Sequence, residues 1–157
     1  MKNVNKILNH PKYKKLLLEL SDLEKHREFC NHTLEHFLDV ARISYITILE
    51  KNLNYSKEVV YTIALLHDIG RVLEYNNGID HHEGSAIIAK ELLEETSFTK
   101  EEKDLIIKAI KNHRKECEDE LSKIIYISDK LSRNCFNCKA YNECYWSKEK
   151  KNNGIII

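Results

Sequence analysis

The chain reads IALLHDIGR from Ile63 to Arg71, and this apolar run ends abruptly on two ionisable residues, His67 and Asp68. Burying an imidazole or a carboxylate without a partner costs several kcal/mol. The stretch therefore predicts one of two arrangements. Either a helix reaches the surface at His67, or the fold contains a site that binds both side chains.

The segment around this run has the length and the start signal of a helix. Ser56 is a candidate N-cap for residues 57–69, although the β-branched residues there also allow a buried strand. From Leu34 to Leu49, apolar residues recur at helical spacing and form one broad stripe. One Pro and four Gly in 157 residues leave few of the turns that separate strands. We therefore expect an all-α fold.

Two pairs of residues have the spacing of a capping box, in which a Ser or Thr and a Glu three residues later satisfy free backbone donors. The pairs are Ser21 with Glu24 and Thr99 with Glu102. Each pair predicts the start of a helix.

The composition is that of an ordinary globular chain. Lys and Arg total 25 and so do Asp and Glu, which gives no electrostatic reason to expect a nucleic-acid or membrane partner. The N-terminal residues lack the apolar core of a secretory signal, and no apolar run approaches the ~18 residues that span a bilayer. We expect a single cytoplasmic domain with reduced cysteines.

Three further ionisable residues fall where an apolar residue is expected. His36 lies at the margin of the apolar stripe, His113 continues an apolar face, and Asp129 follows Leu121 and Ile125 at helical spacing. A carboxylate on the core side of a helix needs a cation, and a metal ion is one solution. Taken singly, a histidine at such a position is more often a hydrogen-bonded packing residue than a metal ligand. For Asp129 alone, the alternative is a helix cap or an ion pair with Lys130 or Arg133.

The order and spacing of five segments carry more information than any one of them. The segments are HFLDVARI (36–43), LLHDIGR (65–71), DHHEGSAIIAKELL (80–93), IIKAIKNH (106–113) and IIYISDKLSR (124–133). Together they resemble the HD-domain superfamily of metal-dependent phosphohydrolases. The resemblance implies a compact helical bundle of about six or seven helices, with its core at residues 31–133. Residues 134–157 then form a cysteine-bearing C-terminal extension.

The resemblance also implies a metal centre. The positions that match the ligands of one metal in this family are His36, His67, Asp68 and Asp129. Relatives with two metals add histidines from the intervening segments, and the matching positions here are His81 and His113. His82 is the alternative to His81, which we prefer because Ser85 follows it by four residues. His32 is expected at the surface or behind the ligands.

The ligand types imply one or two divalent transition-metal ions, Fe, Mn, Zn, Ni or Co. Such an ion lowers the pKa of bound water and screens phosphate charge. Asp68 is also expected to orient or deprotonate the attacking water. Arg71 and Arg133 are the candidate phosphate-binding residues, and the alternative for each is a surface ion pair. Many relatives carry Lys at the position of Arg71.

The implied activity is that of a phosphomonoesterase or phosphodiesterase. We expect it to cleave a phosphate ester or anhydride of a nucleotide-like small molecule. The segments AIKNHRKE (109–116) and LSKIIYISDKLSR (121–133) are most similar to the branch of diadenosine tetraphosphate hydrolases. The GYP extension of cyclic-di-GMP phosphodiesterases is absent, which argues against that activity. The alternative is a metal-bearing nucleotide or redox sensor without turnover.

A second cluster follows the last matched segment. Cys135, Cys138 and Cys144 have the spacing C-x2-C-x5-C, and a C-x2-C pair is a common half-site for zinc or an iron–sulfur cluster. A fourth ligand has to come from Cys117, from Cys30 or from a nitrogen donor. Alternatively, the three cysteines are reduced thiols packed beside aromatic residues, or part of a wall of the active site.

Overall fold

The computed structural model describes residues 1–114 and 118–155, and within them every regular element is helical. The α-helices are α1 (Lys2–Leu8), α2 (Pro11–Glu24), α3 (Leu34–Glu50), α4 (Lys57–Leu66), α5 (Arg71–Asn77), α6 (His81–Glu94), α7 (Lys100–Asn112) and α8 (Glu120–Leu131), followed by a 3₁₀ turn at Cys135–Asn137. The all-α prediction is confirmed. The described residues contain eight α-helices, where about six or seven were expected, and the short α1 and α5 were not predicted. Cys117, Ile156 and Ile157 lie outside the described residues.

Helix α4 lies at the centre of the bundle and packs against α1, α3, α6 and α7. Seven of its ten residues are buried, so the apolar run is a core helix and the strand alternative is wrong. The helix ends at Leu66, and the chain turns immediately afterwards. His67 and Asp68 are therefore buried at the end of a core helix, and the helix does not reach the surface there.

The turn after α4 packs directly against the start of α6. A Cβ atom at Gly70 would lie 2.1 Å from the backbone nitrogen of Ser85 and 2.3 Å from the carbonyl oxygen of His81. The backbone N–H of Gly70 donates to Ser85 Oγ over 2.8 Å. Only glycine allows this approach, which brings the first residue of α6 next to Asp68.

The two predicted capping boxes have different outcomes. The Thr99–Glu102 box is present at the start of α7, with both reciprocal hydrogen bonds. The Ser21–Glu24 prediction is wrong, because α2 runs without a break from Pro11 to Glu24. Glu24 is instead a buried carboxylate at the C-terminal end of α2.

The segment after α8 folds back onto the end of that helix. The side-chain amide of Asn152 donates to the carbonyl oxygens of Lys130, Leu131 and Arg133. These are acceptors that the end of a helix leaves free. The carbonyl oxygen of Asn152 accepts from the N–H of Phe136. The described part of the chain contains no helix with the length and hydropathy of a membrane span.

Candidate metal centre

Two groups of His and Asp side chains have ligand atoms within 4.8 Å of one another and could hold a metal ion. The first group contains His36, His67, Asp68 and Asp129, and the second contains Asp68, His81 and His113. These residues come from α3, the turn after α4, and the ends or interiors of α6, α7 and α8. The fold thus brings together all six residues that the family resemblance implied as ligands.

Asp68 is common to both groups, and its two oxygens face different histidines. Asp68 Oδ2 lies 3.3 Å from Nε2 of His67. Asp68 Oδ1 lies 3.4 Å from Nε2 of both His81 and His113. Across the first group, Nε2 of His36 lies 3.3 Å from Asp129 Oδ1. Asp68 is therefore placed between the two groups, where it could contribute a ligand atom to each.

The four histidines share one orientation, in which Nδ1 is held from behind and Nε2 faces the centre. The partners of Nδ1 are the carbonyl oxygens of Ala64 (His67, 2.7 Å) and Ile110 (His113, 2.5 Å), the carboxylate of Glu74 (His81, 3.0 Å) and the hydroxyl of Ser132 (His36, 3.0 Å). The Ser132 hydroxyl donates to the Asp129 carbonyl, so it accepts from His36. An acceptor behind Nδ1 fixes the proton there and leaves the Nε2 lone pair for a metal, as in histidine ligands generally.

Burial of the centre leaves polar atoms without partners. His67 is fully buried and Asp68 is 3% exposed, yet His67 Nε2 and Asp68 Oδ1 have no hydrogen-bond partner. An unpaired buried polar atom costs free energy that a bound cation compensates. The donor set of imidazole nitrogens and carboxylate oxygens suits first-row divalent ions. The residues present therefore fit a divalent transition metal.

The histidines of the centre differ in their pKa values. Burial lowers the pKa of His67, but the carboxylates of Asp68 and Asp129 outweigh burial and raise it to about 10. Burial lowers the pKa of His36 to about 4 and that of His81 also to about 4. Near neutral pH, His36 and His81 are thus already in the neutral form that binds a metal. His67 has to release a proton when a metal binds.

The alternative ligand His82 belongs to neither group. Its neighbour His81 is 1% exposed and faces Asp68, whereas His82 is only half-buried. The geometry favours His81 over His82, in line with the preference drawn from Ser85.

Two buried residues, His32 and Glu24, lie behind Asp68. His32 is 5% exposed, so its placement at the surface is wrong. Its Nε2 lies 3.4 Å from Asp68 Oδ2, and its Nδ1 lies 2.6 Å from Glu24 Oε1. Burial raises the pKa of Glu24, but hydrogen bonds and charge from His32 outweigh it and lower the pKa to about 2. Glu24 had no sequence signal for this role, because its spacing from Ser21 indicated a helix cap.

The two candidate phosphate-binding arginines border the centre. Arg71 Nε lies 3.7 Å from Asp68 Oδ1 and has no hydrogen-bond partner, while its guanidinium is held by Glu74. Arg133 donates to His36 Nε2 over 3.1 Å and to Asp129 Oδ1 over 3.2 Å. Both arginines do form ion pairs, Arg71 with Glu74 and Arg133 with Asp129, and these pairs are partly buried beside the candidate ligands.

A cavity of about 620 Å³ opens onto Asp68, His81, His113 and Asp129. Six basic side chains line it: Arg27, Arg71, Arg114, Lys130, Arg133 and Lys150. Three aromatic residues, Tyr126, Tyr145 and Trp146, also line it. The C-terminal segment therefore does form part of the wall around the centre.

Comparisons with known proteins point to the same region of the chain. The family model described as HD domain matches residues 33–134. An uncharacterized protein of Clostridium beijerinckii is 44% identical over 152 residues, which are 97% of this chain and 97% of that protein. Ribonuclease Y of Mycoplasma mycoides subsp. mycoides SC is 29% identical over 115 residues, which are 72% of this chain but 21% of that protein.

One solved structure has the same fold. It is the crystal structure of a predicted HD superfamily hydrolase from an uncultured Thermotogales bacterium. It matches with a TM-score of 0.63 at 23% identity, covering 90% of this chain and 82% of that chain.

Proposed function

The chain belongs to the HD domain family, and from this premise we propose that it is a metal-dependent phosphohydrolase. The proposed reaction is attack of water on a phosphate ester or anhydride of a nucleotide-like small molecule. The observation that carries the proposal is the orientation of four buried histidines. Each presents Nε2 to a buried carboxylate and has Nδ1 held from behind.

Each residue of the centre has a role in this proposal. The first metal would be held by His36, His67, Asp68 and Asp129, and a second by Asp68, His81 and His113. When bound, a divalent ion supplies Lewis acidity, which lowers the pKa of water and neutralises phosphate charge. In this proposal Asp68 would orient or deprotonate the attacking water, because it is the carboxylate at the centre of both groups.

The arginines bind the substrate phosphate. Arg71 lines the cavity beside Asp68, which places its guanidinium to bind a phosphate group there. Arg133 donates to His36 Nε2 and Asp129 Oδ1, which are the atoms a metal would take. If a metal took these acceptors, the Arg133 guanidinium would be available to donate to the phosphate in the cavity that it lines.

The cavity supports a small, nucleotide-like substrate. Its volume of about 620 Å³ lies in the usual range for small-molecule sites. Six basic side chains suit a substrate with more than one phosphate group. Tyr145 is 83% exposed at the cavity wall, where its ring can stack on a base. The similarity to diadenosine tetraphosphate hydrolases makes a dinucleoside polyphosphate the first compound to test.

The test combines metal content with turnover. Protein purified without oxygen or chelator is analysed for metals by elemental mass spectrometry. It is then assayed with a dinucleoside polyphosphate, nucleoside mono- and triphosphates, a cyclic dinucleotide and a short RNA. We expect one or two transition-metal ions per chain and turnover of a small nucleotide. Asp68→Asn should lose both, while Asp39→Asn, a change at an exposed carboxylate on α3, should keep both.

Other outcomes contradict the proposal in distinct ways. Metal and nucleotide binding without turnover of any compound would indicate a sensor or binding module. Cleavage of the RNA and of no small nucleotide would indicate a ribonuclease, as the name of the relative Ribonuclease Y suggests. A wild-type chain that binds no transition metal after reconstitution would exclude the metal-dependent reaction.

A further inference from the structure

The three cysteines of the C-terminal segment meet a fourth from a distant part of the chain. Cys30 lies between α2 and α3, and it lines a cavity of about 300 Å³ together with Cys135 and Cys138. The rings of Phe29 and Tyr145 form an edge-on contact with centroids 6.3 Å apart. That contact places the residue before Cys30 against the residue after Cys144. All four thiols are free.

The local backbone presents Cys135 and Cys138 together. Residues Cys135–Asn137 form a 3₁₀ turn, and the N–H of Cys138 donates to the carbonyl oxygen of Cys135 over 3.0 Å. Side chains three residues apart on a 3₁₀ turn lie one above the other. The C-x2-C pair is therefore already arranged as two neighbouring ligands.

Cys30 has a strained backbone. Its φ is 49°, in the left-handed region, which costs a non-glycine residue about 1 kcal/mol or more. The other described non-glycine residue with a positive φ is Asn52, a residue type that tolerates this conformation. Strain of this kind persists where the surrounding structure requires the side chain in one place.

The thiols influence one another electrostatically. Burial raises the pKa of the Cys30 thiol, and Arg133 lowers it. The thiols of Cys144, Cys135 and Cys138 raise it further. Together with the contact between Phe29 and Tyr145, this places Cys144 near Cys30, although Cys144 is six residues further along the chain than Cys138.

The spacing of the sulfur atoms argues against a preformed site for a single zinc ion. A zinc ion with four thiolates at about 2.3 Å holds its sulfurs about 3.8 Å apart. Among the described residues, no three cysteine sulfurs lie within 4.8 Å of one another. A multi-iron cluster is wider than a single ion and holds its thiolates further apart, at the corners of the cluster.

We propose that Cys30, Cys135, Cys138 and Cys144 bind a [4Fe–4S] cluster beside the His/Asp centre. The cluster joins the segment before α3 to the segment after α8. Helix α3 carries His36, and helix α8 carries Asp129. Arg133 lies between the two sites, since it donates to Asp129 and lines the cavity of the cysteines. The cluster thus fixes the wall of the substrate cavity that contains Tyr145 and Trp146.

The test uses the full chain expressed with iron and purified without oxygen, with chemical reconstitution by iron and sulfide as a second preparation. We expect about four acid-labile sulfides per chain and a broad visible absorption near that of other four-cysteine clusters. Acid-labile sulfide separates this site from any iron at the His/Asp centre, which contains no sulfide. Cys30→Ser and Cys138→Ser should each lose the sulfide and the absorption. Circular dichroism checks that both variants stay folded.

Two controls make the assignment specific. Cys117→Ser changes the cysteine outside this set and should keep the cluster. Asp68→Asn should keep the sulfide while losing the metal of the His/Asp centre, so failure of one proposal is distinguishable from failure of the other. One zinc per chain without sulfide would overturn the cluster assignment. Loss of the cluster in Cys117→Ser but not in Cys30→Ser would overturn the choice of Cys30.

Discussion

His81 and His82 are adjacent in the sequence but differ in what their rings contact. His81 is held by Glu74 and faces Asp68, whereas His82 belongs to neither group of ligands. We predict that His81→Gln lowers the metal content by the ion of the second group, because that group then keeps only two ligands. His82→Gln should leave the metal content unchanged.

The measurement is metals per chain after dialysis, compared for the two variants and the wild type. Turnover with the best substrate should fall by at least tenfold in His81→Gln only, in line with the loss of one metal-centre ligand. Equal losses in both variants would contradict the ligand assignment.

Glu24 stabilises the fold in a pH-dependent way. Its pKa falls from 4.5 to about 2 on folding, mainly through His32, which more than offsets the effect of burial. A carboxylate with a lowered folded pKa contributes stability above its unfolded pKa and loses it as the pH falls towards the folded value. Glu24→Gln should therefore lower the free energy of unfolding by a few kcal/mol at pH 7.

The difference between wild type and Glu24→Gln should shrink below pH 4.5 and vanish near pH 2. Urea unfolding at a series of pH values, in the presence of a chelator, measures it. The exposed residue Glu28 offers the matched control, and Glu28→Gln should follow the wild type. A difference that stays constant down to pH 2 would show that the carboxylate charge is not the cause.

At this scale the sequence predicts ligands better than it predicts their supports. His36, Asp68 and Asp129 each interrupt or follow an apolar face, and the resemblance to the HD-domain superfamily made them candidate ligands. Glu24 was not, because its contact with His32 depends on how the end of α2 approaches the segment before α3. A local pattern, Ser21 followed by Glu24, even pointed to a different role.

At the scale of elements, the contact between the turn after α4 and the start of α6 sets the geometry of the second group. A Cβ at Gly70 would overlap backbone atoms of Ser85 and His81, which cannot move like a flexible side chain. We predict that Gly70→Ala lowers the free energy of unfolding by roughly 3 kcal/mol or more, and also lowers metal binding by the second group.

Gly78 gives a matched control for this substitution. It has a φ of +70° but nothing within 4 Å of an added Cβ, so Gly78→Ala should cost only about 1 kcal/mol of backbone strain. Urea unfolding of both variants tests the comparison. Because Gly70 has an ordinary φ of -68°, a loss there no larger than that of Gly78→Ala would mean that the close approach of α6 does not require glycine.

Helices were predictable where a long periodic segment or a cap marks them. Helix α7 begins at the predicted capping box, and α4 begins after Ser56 as expected. The short helices α1 and α5, of seven residues each, carry too little periodicity to be read from the sequence. They depend on tertiary packing, α1 against α4 and α5 against α6.

At the scale of the whole molecule, the centre ties together helices from most of the chain. A metal that binds only the folded state stabilises it by mass action, by about 4 kcal/mol when its concentration is 1,000 times the dissociation constant. We predict that removing metal with a chelator lowers the midpoint of thermal unfolding and that adding metal restores it. In Asp68→Asn the chelator should have no effect. A wild-type midpoint that does not depend on metal would contradict this linkage.

The order in which these helices occur along the chain has a consequence for synthesis on the ribosome. His36 and His67 emerge early, but the first group lacks Asp129 until α8 has been made. The second group is complete once His113 has emerged. A nascent chain therefore gains its capacity to hold metal in two stages, and one that stops before α8 keeps the turn with Asp68 but not the first group. Completion of the first group thus requires that translation has passed α8.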